Sequence, residues 1–246
     1  MSAASTPRVS IVVLVHNEGD AVRPVIERLM ESVQIANEVL VVYDQEGDVT
    51  LPTLRDLCTK YSNLRLVHNQ VRRGPAGAIR AGFSAARAPV VVVTMSDGCD
   101  DPAQIDTLTR LVERGVVVAA ASRFMRGGQR VGGPWMKGII SRIAGVSLHR
   151  IARVGTHDAT NSFKAYSREF VNTVGVESTE GFEVGIELVA KARRFRLPVA
   201  EIPTIWLDRT FGASNFRLLR WLRHYLRWYL YAFGRPKQFV KAKGST

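Results

Sequence analysis

The stretch PVVVVTMSDGCDDP (89–102) runs from a β-branched apolar segment straight into a cluster of carboxylates. An apolar run without alternation predicts a strand buried on both faces, as in a parallel sheet covered by helices. Outward from it, VSIVVLV (9–15), EVLVVY (38–43), LRLVH (64–68) and VVVAAA (116–121) repeat the pattern. Helical periodicity separates these runs at about 20–36, 51–61, 75–87 and 102–114. The alternation predicts βαβ units, and so an α/β fold with a mainly parallel sheet flanked by helices. Beyond it lie a glycine-rich basic loop (126–134), helices near 135–153 and 182–194, one strand over PVAEIPTIWL (198–207) and a long helix over about 214–233.

Ligands of open α/β sheets bind beyond the carboxyl ends of the strands, so polar residues there are the first candidates for a site. They are His16, Asn17 and Glu18 after the first strand, Asp44 to Asp48 after the second, and Ser96 to Pro102 after the fourth. Asp97, one residue past its strand, is the best ligand for a hard divalent cation that also binds substrate phosphates. Asp101 is read first as a helix cap with Pro102 in the first turn, although Asp100 or Asp101 could serve as a replacement ligand. The turn HNEGDA is no GxGxxG motif, and no Walker A motif is present, which argues against a dinucleotide-binding dehydrogenase or a P-loop enzyme. The small residues of RRGPAGAIRAGF (72–83) suit close packing of a helix on the sheet.

The formal charge of +12 comes from two segments. Residues 123–153 carry seven basic residues and no acidic one, and residues 217–246 carry eight and none. The rest has 19 basic and 22 acidic side chains. Acidic strand-end loops would repel the phosphates of a nucleic acid, so nucleic acid is the weaker partner class, even with Trp and Tyr available for stacking. Two cysteines make no disulfide framework and fit a reducing cytoplasm. MSAASTPRVS lacks the charged and apolar regions of a signal peptide, and no apolar run reaches the ~18 residues of a membrane span. The expectation is a cytoplasmic protein, soluble or peripheral on the inner face of a membrane.

Together, VSIVVLVHNE, VVYDQEGD, RRGPAGAIRAGF, VVVTMSDGCDDP, ASRF and IPTIWLDRTFGASNF occur in an order that resembles the family 2 inverting glycosyltransferases of the GT-A fold. The similarity is greatest to their dolichyl-phosphate (polyprenyl-phosphate) mannose synthase-like branch and covers about residues 8–216. It implies a Mg²⁺ or Mn²⁺ cofactor and a nucleotide-diphospho-sugar donor. Val15, Asn17, Glu18 and Asp44 would meet the nucleotide, Gly77 would lie near the ribose, and Asp97 would bridge cation and diphosphate. Arg209, with Ser214 beside it, would close over the diphosphate. Arg123 would receive the acceptor phosphate, with Lys137 and Arg142 following on the next helix. Met95 stands where the family commonly has a first metal-site aspartate, and Cys99 where a glutamine can join the metal.

A phosphate monoester has a second pKa near ~6, so as acceptor it would need orientation more than deprotonation. A lipid or glycan hydroxyl would instead require a carboxylate base, for which Asp158 and Glu183 are the candidates, each with an equally good structural role. On a helical wheel Arg217, Arg220, Arg223, His224 and Arg227 share one arc, opposite Leu, Trp and Tyr residues. This basic amphipathic helix suits the headgroup plane of an anionic membrane, or packing on the domain or a second subunit. The expected organisation is a transferase domain over 1–213 and a basic helical tail over 214–246.

Overall fold

The computed structural model describes residues 6–132, 135–208 and 218–239, with the side chains of Met136, Lys137 and residues 218–221 outside that description. Its strands are β1 (Val9–Leu14), β2 (Asn37–Tyr43), β3 (Leu64–His68), β4 (Val90–Met95), β5 (Val118–Ser122), β6 (Gln129–Val131), β7 (Lys164–Ser167), β8 (Val199–Pro203) and β9 (Ile205–Leu207). The α-helices are α1 (Val22–Ser32), α2 (Leu51–Lys60), α3 (Pro75–Ala85), α4 (Ile105–Glu113), α5 (Trp135–Ser147), α6 (Arg168–Val174), α7 (Val184–Arg194) and α8 (Leu218–Ala232). Seven strands form one sheet in the order β3-β2-β1-β4-β7-β5-β8, and β6 and β9 form a small second sheet.

The apolar runs form the parallel strands because they are buried on both faces. Ile11, Val13, Val39, Val41 and Val92 pack under α1, α2 and α4, while Val12, Leu14, Leu40, Val42 and Val91 pack on the opposite side with residues of α3 and α7. Two glycines of the 72–83 stretch serve this packing. A Cβ on Gly82 would lie 2.3 Å from Val12 Cγ1, and one on Gly77 only 1.7 Å from the Arg72 carbonyl oxygen.

Three features depart from the sequence expectation. β7 enters antiparallel between β4 and β5. The single strand expected over 198–207 is two: β8 joins β5, and β9 leaves the main sheet to pair with β6. Pro203 lacks an N–H with which to continue a ladder, and the break falls at Thr204. The helix near 135–153 ends as α5 at Ser147 and continues as a π-helical turn, Leu148–Ala152.

The expected boundary between 213 and 214 lies outside the described residues. Within them, α8 packs on α7, burying Trp228 and Ala232. Lys191 of α7, 3% exposed, is held by Glu187 at 2.7 Å and Glu177 at 3.0 Å, and its ammonium lies 5.2 Å from the Trp228 ring centre. Part of the tail's apolar arc is therefore spent on the domain. Leu222, Leu226 and Leu230 stay exposed. Among the described residues no helix is long and apolar enough to cross a membrane.

Candidate active site

A cleft of about 490 Å³ opens beyond the carboxyl ends of β1, β2 and β4. Glu18, Asp44, Asp97 and Asp100 line one side with Val15 and His16. Arg123, Arg130, Trp206, Asp208 and Tyr225 line it from the second half of the chain. The strand-end acids and the first arginine of the basic segment, far apart in sequence, thus face one cavity.

The acidic wall is held by its own backbone. Asn17 sits at φ +56°, and its N–H donates to the Asp48 carboxylate at 3.1 Å. Thr50 Oγ1 accepts the N–H groups of Glu18 and Gly19. Burial raises the Asp48 pKa, but hydrogen bonds from Thr50 and Asn17 outweigh this and hold the group below its ordinary value. Asp44 accepts from Asn69 Nδ2 at 2.7 Å and from the Gly74 N–H at 2.8 Å, tying β2 to the start of α3. Asn17 and Gly77 are not among the cavity-lining residues; the first shapes the loop and the second lets α3 approach Arg72.

Asp97 Oδ1 accepts the Cys99 N–H at 3.1 Å. Asp100 accepts from Thr94 Oγ1 at 2.9 Å, and burial, with the Asp97 charge adding, pushes its carboxyl up to about 7. Two carboxylates crowding one cavity fit a hard divalent cation, because such an ion commonly takes one or two protein carboxylates and fills its other positions with water and substrate phosphate. Asp101 does not line the cavity: its side chain accepts the Ala103 N–H at 3.3 Å as a helix cap and pairs with Arg28. Its place as an alternative metal ligand is thereby corrected to the capping role. Neither Cys58 nor Cys99 is in a disulfide among the described residues.

The basic wall rests on a buried ion pair. Asp158, fully buried, accepts from Arg123 Nε at 2.7 Å and Nη2 at 2.9 Å. Burial alone would raise the Asp158 pKa, but the charge and hydrogen bonds of Arg123, with Lys164 behind, hold it below the ordinary carboxylate value. Lys164, also fully buried on β7, donates to the Asn161 carbonyl, and desolvation brings its ammonium down to about 7. Asp158 therefore stands behind Arg123 and not at the cavity wall, which corrects its expected contact with the acceptor. Glu183, the other candidate base, is buried and accepts the N–H groups of Glu180 and Gly181.

Arg142 is exposed and absent from the cavity lining, whereas Gly138 and Ser141 of the same helix line it. The Lys137 side chain, Arg209 and Ser214 lie outside the described residues. Sequence reasoning missed Arg130 and Trp206 as site residues. The Trp206 ring centre lies 5.4 Å from the Arg130 guanidinium carbon and 6.0 Å from that of Arg123. Arg130 sits in the acid-free segment, so its charge was visible, but its partner on β9 was not.

The sheet order and the cleft at its carboxyl edge are those of a GT-A fold. The chain belongs to glycosyl transferase family 2, whose family model matches residues 10–175, more than half of its length. It is 26% identical over 228 residues to a dolichol-phosphate mannosyltransferase of Pyrococcus furiosus, aligning 89% of this chain with 63% of that protein. It is also 26% identical over 216 residues to a polyprenol monophosphomannose synthase of Mycolicibacterium smegmatis, aligning 85% of this chain with 81% of that one. The chain thus spans less than two thirds of the Pyrococcus protein and most of the Mycolicibacterium one. Its fold is similar to that of glucosyl-3-phosphoglycerate synthase from Mycobacterium tuberculosis, solved with Mn²⁺, UDP and glucosyl-3-phosphoglycerate, at a TM-score of 0.67 and 19% identity over 95% of this chain and 82% of that one.

Proposed function

We propose that the protein is an inverting glycosyltransferase that moves a hexose from a nucleotide-diphospho-sugar to a polyprenyl phosphate at a membrane surface. One observation carries this reading: a single cleft has carboxylates from the strand ends on one side and Arg123, Arg130 and Trp206 on the other. The names of the Pyrococcus and Mycolicibacterium relatives support the same acceptor class.

On this reading Glu18, Asp44 and the β1 end hold the nucleotide, and Asp97 and Asp100 hold a divalent cation, Mg²⁺ or Mn²⁺. The cation would supply charge neutralisation for the leaving diphosphate. Arg209 and Ser214 are assigned to the diphosphate on resemblance alone. Arg123 and Arg130 orient the acceptor, since guanidinium groups match phosphate with paired donors. An acceptor phosphate oxygen attacks the sugar C1 from the face opposite the diphosphate. The new C1–O bond forms as the bond to the diphosphate breaks, its electron pair leaves with the nucleoside diphosphate, and the configuration at C1 inverts. A largely dianionic phosphate needs no base, which agrees with the engagement of both Asp158 and Glu183 in structural bonds.

Tyr225 of α8 and Gly138 and Ser141 of α5 line the cleft, and Ser147 Oγ lies 2.9 Å from Tyr229 Oη, joining the two helices. Their outer faces expose Trp135, Ile139 and Ile143 on α5, and Leu222, Leu226 and Leu230 on α8, with Arg223 exposed alongside. Apolar side chains bordered by basic ones suit the headgroup region of an anionic membrane. That supports a lipid-linked acceptor arriving beside the cleft. The test supplies the purified chain with Mn²⁺ or Mg²⁺, a panel of UDP- and GDP-sugars, and polyprenyl phosphate in anionic liposomes, with products read by mass spectrometry. A polyprenyl-phosphate hexose is expected; transfer only to a glycan or lipid hydroxyl, or no transfer with any donor, overturns the reading.

A further inference from the structure

The geometry points to a second metal site, separate from the cleft, in which His149, His157 and Glu201 bind a transition-metal dication such as Zn²⁺. None of the three is among the residues lining the cleft. The inference does not depend on the transferase reading.

The residues come from three segments that meet on one flank: the π-helical turn after α5, the loop before β7, and β8. One ligand atom from each lies within 4.8 Å of the others, and this is the group of three or more such side chains found this close among the described residues. The histidine rings stack with centres 3.6 Å apart. His157 Nδ1 is 2.5 Å from Glu201 Oε1. His149 Nδ1 is buried and has no hydrogen-bond partner among the described residues. A buried ring nitrogen without a partner, on a ring clustered with a carboxylate and a second imidazole, is a polar group whose missing partner a cation would supply.

The second layer is already in place. Glu201 Oε2 accepts from Thr156 Oγ1 at 3.0 Å and from the His157 N–H at 2.8 Å, which fixes the carboxylate as bonded groups behind a metal ligand do. Burial and the neighbouring His157 hold His149 below the ordinary histidine value, favouring the neutral ring that a metal requires. Two imidazoles and one carboxylate are a borderline donor set, suited to Zn²⁺ and poorly suited to Mg²⁺. At bond lengths of about 2.0–2.1 Å tetrahedral ligand atoms sit roughly 3.3 Å apart, so His157 and Glu201, now 2.5 Å apart, must open to admit the ion while the third ligand adjusts around it, and water completes the coordination. A metal-bound His157 is the neutral ring with its proton on the nitrogen that does not face the ion, and its hydrogen bond to Glu201 gives way to the ion. Neither redox change nor co-reactant is involved.

The site would act as a clamp on the basic half of the cleft. Thr156 Oγ1 also accepts the Asp158 N–H at 3.0 Å, and Asp158 holds Arg123. An ion at Glu201 therefore braces the end of α5, β8 and the loop that positions Arg123.

The test uses the 246-residue chain, tag-free and stripped of metal, carrying Asp97→Ala to weaken the cation site of the cleft. Calorimetry with Zn²⁺ is expected to give one equivalent bound, Co²⁺ to give a ligand-field absorption band, and Zn²⁺ to raise the thermal midpoint. Adding His149→Ala, or separately Glu201→Gln, should weaken Zn²⁺ binding more than about tenfold, the scale on which even outer-shell changes weaken metal sites. The band and the thermal shift should disappear while the metal-free midpoint of His149→Ala stays unchanged, which separates ligand loss from misfolding. Absence of Zn²⁺ binding by the folded Asp97→Ala chain, or equal affinity in it and in His149→Ala, would overturn the site.

Discussion

The two walls of the cleft are built by opposite means. The acidic wall belongs to the regular βαβ half, where carboxylates that follow buried strands accept backbone N–H groups of neighbouring loops, Asp48 from Asn17 and Asp44 from Gly74. The basic wall belongs to the irregular half, where Arg123 is aimed by Asp158, 35 residues away and fully buried. Backbone donors are neutral, so losing one acidic side chain strands no charge and leaves the wall standing. A buried ion pair is a fold element, because removing one partner leaves an uncompensated charge in the interior. The difference teaches that function and stability should separate on the acidic side and fall together on the basic side.

The largest expected effect is therefore on the basic wall. Arg123→Ala should lose about 3–5 kcal/mol of stability in urea unfolding, because it strands Asp158. Acidification sharpens the point. Asp158 is held below its ordinary value in the fold, so its stabilising contribution is complete above the ordinary carboxylate pKa and is lost as pH falls through the lower, folded value. Asp158→Asn should accordingly be less stable at neutral pH and show a flatter acid-unfolding curve, measured by circular dichroism against pH. An unchanged curve would break the comparison from its basic side.

On the acidic wall, Asp97→Ala should keep its unfolding midpoint yet lower kcat/KM at least about a hundredfold, as expected when several kcal/mol of charge stabilisation disappear. A large loss of stability in that variant would erase the contrast. Arg130, beside Trp206 at the cleft, should give a smaller effect, seen chiefly in acceptor binding. Arg130→Ala is expected to raise the acceptor KM about tenfold, near 1.4 kcal/mol, with little change in the donor KM. The smallest effect belongs to the outer apolar face: Leu226→Ser with Leu230→Ser should weaken anionic-liposome binding in sedimentation while leaving nucleotide-sugar binding intact.

Legibility in the sequence followed the same division. The five parallel strands of the first half, and the acidic loops after them, could be read from apolar runs and the residues that end them, because the signals are local. Asp101 as a cap with Pro102 following was legible for the same reason. β7 was not, because KAYS is four residues long with a lysine whose burial is offset by the charges of Asp158 and Asp100 and by the Asn161 carbonyl. Asp158 could be nominated but not placed, since nothing near it in sequence shows that Arg123 occupies both its oxygens. The helix α8 read correctly as amphipathic, but the division of its apolar arc between α7 and the outer face depends on Lys191 and Trp228 meeting.

The central claim is that one cleft has a nucleotide side and an acceptor side. Calorimetric binding of UDP- and GDP-sugars in the presence of Mn²⁺, compared across the unaltered chain, Asp97→Ala and Arg130→Ala, tests it most directly. The account predicts that Asp97→Ala loses donor binding while Arg130→Ala keeps it. Loss of donor binding in Arg130→Ala, with binding retained in Asp97→Ala, would contradict it.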